Sequence, residues 1–186
     1  MKKMIAAFAA TALLAFSAVA FVGCGGESDE DLIRGALTEE LETIKSLDDA
    51  TISEMVGTMN TSTFATYGID PSEFMKTYLD GFDYSIDSVT VDGDTAKATV
   101  TLTCKSFSAY ESTLEANTKK AIETQDVASM NQAQINELVG KIMMDSLKEV
   151  QPVACEPFTI EYTNADGEWT PPAASEQAIS PALLTN

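Results

Sequence analysis

The chain begins with an apolar run and then passes between helical and extended patterns. After Lys2 and Lys3, Met4 to Val22 carry no charge. Over residues 31–47 apolar side chains recur every three or four positions: Ile33, Leu37, Leu41 and Ile44, with Ala36 beside them. That period predicts a helix with one buried stripe, Glu39, Glu40 and Glu42 facing away. Asp48-Asp49 interrupts it, and Ile52, Met55, Val56 and Met59 predict a second helix. Asn60 to Thr63 read as a loop or a fresh helix start. Asp70-Pro71-Ser72-Glu73 is a helix start: Asp70 caps, Pro71 suits the first helical position, and Glu73 completes a capping box. Phe74, Tyr78 and Phe82 line the buried side of this helix, and Gly81 marks its stop.

The period then changes to two. Residues 83–91 and 95–104 flank Asp92-Gly93-Asp94, a strong hairpin signal. Ala96, Ala98, Val100, Leu102 and Cys104 share one face, opposite Lys97, Thr99, Thr101 and Thr103. The first strand changes parity between Tyr84/Ile86 and Val89/Val91, which predicts a bulge near Asp87-Ser88. Residues 109–150 return to helical spacing, in two pieces around Asp126–Met130. Ile135, Leu138, Val139, Ile142, Met143 and Leu147 make the apolar stripe of the second piece. A strand at 153–163 contains Pro157, which has no amide hydrogen for a ladder and so predicts an edge or a bulge. Asn164-Ala165-Asp166-Gly167 is a turn, and Glu168-Trp169-Thr170 begins a short last strand. Residues 171–186, rich in Pro, Ala and Ser, predict a loose tail. No internal repeat is visible.

The apolar run ends at Cys24, which follows Phe21-Val22-Gly23 and precedes Gly25-Gly26. This resembles a bacterial lipoprotein signal, in which a peptidase cuts before a cysteine whose thiol carries a diacylglycerol. The resemblance implies a signal peptide at 1–23, a lipidated Cys24 as first mature residue, and a polar tether at 24–30. It also implies a protein anchored to the membrane on its extracytoplasmic face. Two acyl chains give stable anchoring, at about 0.8 kcal/mol per buried methylene. Phe21 stands where the family prefers leucine. Two other readings remain open. Ala18-Val19-Ala20 offers an ordinary secretory cleavage site, and the run approaches the length of a membrane span, although it is alanine-rich.

Charge narrows the partners. The whole chain has a net charge of −18. Residues 1–23 hold two lysines and no acid, so their removal leaves 9 basic against 29 acidic residues, a net of −20. Such a surface repels phosphate backbones, which argues against nucleic acid. It also repels anionic headgroups, which favours a domain held off the membrane. The acids are spread along the chain, as solubility alone would require. Histidine is absent, which excludes serine–histidine and cysteine–histidine mechanisms. Only Cys104 and Cys155 remain beside Cys24, too few for a cysteine zinc site. No metal and no cofactor is implied.

The hairpin Ser88–Val100, of the form hydrophobic–x–Val-x-Val-Asp-Gly-Asp-x-Ala-x-Val, and the later Asp166-Gly167-Glu168-Trp169 resemble uncharacterised bacterial lipoproteins of the nuclear transport factor two-like fold. The resemblance spans roughly residues 31–170. It implies an α+β domain, N-terminal helices packed on a curved antiparallel sheet to form a cone, here with a helical insertion at about 109–150. Members usually follow the tryptophan with a basic and an apolar residue. Thr170-Pro171 departs from that and leaves the length of the last strand open.

Several side chains are candidates for chemistry. Cys104 and Cys155 end one strand and begin the next. If those strands pair, a disulfide closing a 50-residue loop contributes about 3–4 kcal/mol; the alternative is two buried thiols acting as small hydrophobes. Tyr78, Phe82, Tyr84 and Trp169 are candidates for a pocket at the mouth of the cone, where this fold holds ligands, against ordinary aromatic core packing. Tyr67 belongs to the same aromatic set. Asp92, Asp94, Asp166 and Glu168 lie at turns and lack the spacing of a calcium loop. Met55, Met59, Met75, Met130, Met143 and Met144 fit helical core positions.

The reading that follows is a non-enzymatic, membrane-tethered module that binds a small apolar ligand or an envelope protein. The alternative is a small enzyme of the ketosteroid isomerase or dehydratase class, needing a desolvated carboxylate beside a tyrosine. Asp83 and Tyr84 are adjacent, but neighbouring strand residues point to opposite faces. A third possibility is a passive spacer, expected if the insertion fills the cone; an insertion packed outside it with exposed apolar surface favours a partner.

Overall fold

A computed structural model describes residues 28–57 and 61–171, with the backbone of Phe21–Val22. Cys24, most of the expected signal and tether, Met59, Asn60 and the tail from residue 172 lie outside the described residues. The strands are β1 (Phe21–Val22), β2 (Asp83–Asp92), β3 (Thr95–Lys105), β4 (Pro152–Ala154), β5 (Phe158–Ala165) and β6 (Glu168–Thr170). They form one antiparallel sheet in the order β1-β6-β5-β3-β2, with β4 also on β3. The helices are α1 (Asp29–Ser46), α2 (Asp49–Gly57), α3 (Ser62–Thr66), α4 (Pro71–Leu79), α5 (Phe107–Thr124) and α6 (Gln132–Glu149). The class is α+β, helices on an antiparallel sheet, as the periodicities require.

Local sequence accounts for most of these boundaries. Ser28 caps α1 by accepting the Asp31 amide at 3.2 Å, and three acids occupy the first turn, where the helix dipole favours negative charge. Ile33, Leu37, Leu41 and Ile44 are buried as the period predicts. Asp48 accepts the amides of Ala50 and Thr51, both at 2.9 Å, and so starts α2. Asp70 accepts the Glu73 amide at 2.9 Å. Glu73 does not complete a box; its carboxylate lies 3.7 Å from the Lys148 ammonium on α6. The two-way box is found instead at the start of α6, between Asn131 and Gln134. Helix α4 stops at Leu79 and the chain turns through Gly81, at φ 81°. A side chain there would also strike the Pro152 ring, 2.5 Å from its Cγ.

The β2–β3 hairpin is in the predicted register, with the bulge between Ile86 and Ser88. Residues 96, 98, 100, 102 and 104 are buried, while the opposite, more open face runs from exposed Thr95 and Lys97 through half-buried Thr99, Thr101 and Thr103 to buried Lys105. That open face is rich in threonine and carries a Lys97–Glu161 pair at 3.1 Å. The strand expected at 153–163 is broken into two pieces along one edge of β3. Strand β5 pairs with Thr95–Val100 and β4 with Thr103–Lys105, so Pro157 falls in the gap where no ladder bond is required. Strand β6 is three residues long and ends before Pro171, which offers no amide hydrogen.

Helices α5 and α6 form a hairpin joined by a 3-10 turn at Val127–Ser129. Helix α6 packs chiefly on α5 and α4. Its base, Leu147 and Val150, enters the core with Tyr110. Farther out, Ile135, Leu138, Val139 and Ile142 are only half-buried. The broad apolar stripe of α6 is therefore core at one end only; elsewhere the helix packs chiefly on α5 and α4.

Candidate functional site

The four aromatic residues proposed for a pocket lie in three different places. Tyr78 on α4 and Phe82 just after it are buried in the core. Trp169 on β6 is 1% exposed, and its indole N–H meets no partner among the described residues. Tyr84 on β2 is half-buried and turned toward α1. Burial pushes the Tyr78 phenol well above its ordinary range, with the Cys104 and Cys155 sulfurs adding to the effect.

Around Tyr84 a polar cluster fastens α1 to the sheet. The Tyr84 hydroxyl donates to Glu42 Oε1 at 2.9 Å. The Lys45 ammonium donates to Asp83 Oδ1 at 2.9 Å, lies 3.9 Å from Glu42, and sits 5.7 Å from the centre of the Tyr84 ring. Asp83 also accepts the Tyr84 amide at 2.9 Å. Alternation sends Asp83 and Tyr84 to opposite faces, yet Lys45 meets both, since Asp83 Oδ1 accepts from the Tyr84 amide as well as from Lys45. The hydrogen bond from Lys45 holds Asp83 below the usual carboxylate range, and the bond to Asp83 raises Lys45. Tyr84 is raised, first by burial and then by Glu42. Two residues before Glu42, Glu40 is half-buried and its charge raises the buried Tyr162, whose burial is the larger cause. Glu39 and Glu42 are exposed as expected, although Glu42 accepts from Tyr84; Glu40, expected to face away, is half-buried and its charge acts on Tyr162.

The bulge has its own supports. Arg34 on α1 donates through Nη1 to the Ile86 carbonyl at 2.8 Å. Asp87 accepts from Thr101 at 2.6 Å and Ser85 at 2.7 Å, and these bonds lower its pKa. Neither Arg34 nor Lys45 was singled out by sequence pattern, because an exposed basic residue beside an apolar stripe carries no signal of its own.

An open cleft of about 640 Å³ lies along the outer side of α4. Its wall includes Leu47, Asp70, Glu73, Lys76, Asp80 and Lys148, acids and lysines interspersed, and none of the four aromatic candidates. Its lysines already pair with acids, Lys76 with Asp49 and Lys148 with Glu73. Such a lining suits water and salt better than an apolar ligand. Among the described residues no group of three Asp, Glu or Cys side chains is placed to hold a metal ion.

The remaining candidates meet at the foot of the helical hairpin. Lys105, at the end of β3, is 3% exposed. Its ammonium donates to the Leu147 carbonyl at 3.2 Å, in the last turn of α6, and lies 3.9 Å from Asp80. Burial lowers its pKa, opposed by Asp80. A cation among the unpaired carbonyls of a helix end is favourable, so Lys105 holds α6 against the sheet. Beside it the sulfurs of Cys104 and Cys155 lie 3.2 Å apart, both residues buried.

The chain matches no family model and no curated protein sequence. Among solved structures it is similar to a Bacillus subtilis protein described as a "putative lipoprotein (ycdA)", with a TM-score of 0.46 and 12% identity. That likeness covers 94% of this chain and 55% of the other, so this chain spans about half the length of its neighbour.

Proposed function

We propose that this protein is a lipid-anchored extracytoplasmic module that presents its helical hairpin to another protein of the cell envelope. The anchor reading rests on Cys24 at the end of the uncharged run Met4–Val22. Helix α1 begins at Asp29, five residues after Cys24. No helix among the described residues is long and apolar enough to cross a membrane. We read the order of helices, bulged hairpin, helical excursion and final strands as a variant of the nuclear transport factor two-like arrangement.

The observation that carries the choice of partner is the half-covered apolar surface of α5 and α6. Ile122 is 60% exposed, and Ile135, Leu138, Val139 and Ile142 are half-buried on the part of the hairpin beyond the core. Ile122 and these partly covered side chains give the hairpin apolar area that a protein partner would bury. A small apolar ligand is the weaker reading, since the aromatic candidates are part of the packed core and the cleft is lined by charge. An enzyme is weaker again, because Glu42 and Asp83 are already engaged in holding α1 to the sheet.

Two measurements test this. Labelling with palmitate in growing cells marks the wild-type chain and not Cys24→Ser; an unlabelled wild type removes the anchor. A photo-cross-linking side chain at position 122 captures one defined envelope protein, and the same group at Thr99 on the open sheet face captures none. Equal capture at both positions, or a retained apolar molecule in native mass spectrometry with no cross-link at 122, overturns the partner reading.

A further inference from the structure

Cys104 and Cys155 lie at the two feet of the helical excursion. Cys104 is the penultimate residue of β3, and Cys155 follows the last residue of β4. In the ladder Thr103 faces Ala154 and Cys104 faces Val153, while the Cys155 amide donates to the Leu102 carbonyl at 2.8 Å. The cysteines are therefore diagonal neighbours on one face, two residues away from the directly opposed arrangement that strand pairing alone suggests. Their side chains nonetheless turn toward each other, and the sulfurs meet at 3.2 Å. That is about 1 Å more than a covalent sulfur–sulfur bond, a gap that a small rotation of either side chain closes. The residues are 1% and 9% exposed, and Tyr78 on α4 lies near enough for both sulfurs to act on its phenol.

We propose that Cys104 and Cys155 form a structural disulfide that locks the base of the α5–α6 hairpin to the sheet. Everything between them, residues 105–154, becomes a closed loop whose feet cannot separate. Lys105, bonded to Leu147, supports the same junction from the other side. Formation removes one proton and one electron from each thiol. The electrons pass to a disulfide donor, a protein or small-molecule disulfide, which is reduced to two thiols by exchange through a mixed disulfide. The burial of both residues places this exchange before α4 and the hairpin close over them. It also makes the finished bond a structural one, since a redox-sensing cysteine requires access. The inference stands apart from the anchor and partner readings.

The test uses the full chain in two preparations: exported by a bacterial host, and refolded from urea in oxidised glutathione. Free thiols are trapped with N-ethylmaleimide under denaturing conditions, and peptides are mapped with and without reduction. The expected result is a peptide pair linking Cys104 to Cys155, 2 Da lighter than its two thiols, with maleimide on neither until reductant is added. The oxidised protein also loses about 10 °C in Tm on reduction, and the double variant Cys104→Ala/Cys155→Ala does not respond to reductant. Maleimide on both residues in both preparations, or a link from Cys24 to either one, overturns the proposal.

Discussion

Gly140, in the middle of α6, faces the backbone of Tyr67 so closely that a β-carbon would overlap the Tyr67 carbonyl oxygen. The helix can rest on the 67–69 segment only because position 140 has no side chain. Gly140→Ala should therefore cost about 2–3 kcal/mol, since helix and loop must separate. Gly35, on the exposed side of α1, has nothing within 4 Å of the same added atom. There Gly→Ala should stabilise by about 0.5–1 kcal/mol through helix propensity. Urea unfolding of the two variants checks the pair of signs, and a stable Gly140→Ala would refute the close packing of α6.

The bulge in β2 is held from α1 by one charged donor. Arg34→Ala leaves the Ile86 carbonyl without its partner and should cost about 1–2 kcal/mol. Arg34→Met keeps the aliphatic stem and should cost nearly as much if the hydrogen bond matters more than packing. Denaturant midpoints of the two variants separate the contributions.

Three buried tyrosines predict alkaline instability. Burial raises the phenols of Tyr78, Tyr110 and Tyr162 above their ordinary value. A folded pKa above the unfolded one means that this stability is full below about pH 10 and is lost as pH rises past it. Three such groups give a slope of about 4 kcal/mol per pH unit in the alkaline range. The Tyr110 hydroxyl meets no hydrogen-bond partner among the described residues. Tyr110→Phe should thus leave stability at pH 7 unchanged or up to about 1 kcal/mol higher, and reduce the alkaline slope by a third. Urea unfolding at several pH values between 8 and 11 measures both.

Removal of residues 1–23 should leave the domain folded. Strand β1 contributes two residue pairs at the outer edge of β6, Phe21 with Trp169 and Val22 with Glu168. A chain that begins at Cys24 should lie within about 1 kcal/mol of the full chain at equal pH, as expected for a short edge pairing. Loss of the cooperative transition would make β1 part of the fold's foundation.

Periodicity alone determined the class and most of the boundaries. The stripe Ile33–Leu37–Leu41–Ile44, the cap at Asp70 and the parity change near Asp87 are local statements, each fixed by bond geometry within a few residues. They are legible because helix and strand repeats sort side chains before any tertiary contact forms. The break at Pro157 belongs to the same class, since a missing amide hydrogen cannot be supplied from elsewhere.

Tertiary packing decided what those elements meet. Helix α6 has a stripe wide enough for a core position, but Gly140 and the 67–69 segment set it against helices, leaving its outer half uncovered. Glu40 reads as solvent-facing until the sheet covers it beside Tyr162, and nothing in the spacing tells that the exposed Glu42 takes the Tyr84 hydroxyl. The Cys104–Cys155 contact depends on a register shift at the β4–β5 gap, which no spacing along the chain encodes. These are relations between residues distant in sequence, and each depends on how the helices settle on the sheet, a choice made by the summed burial of many side chains rather than by any one of them.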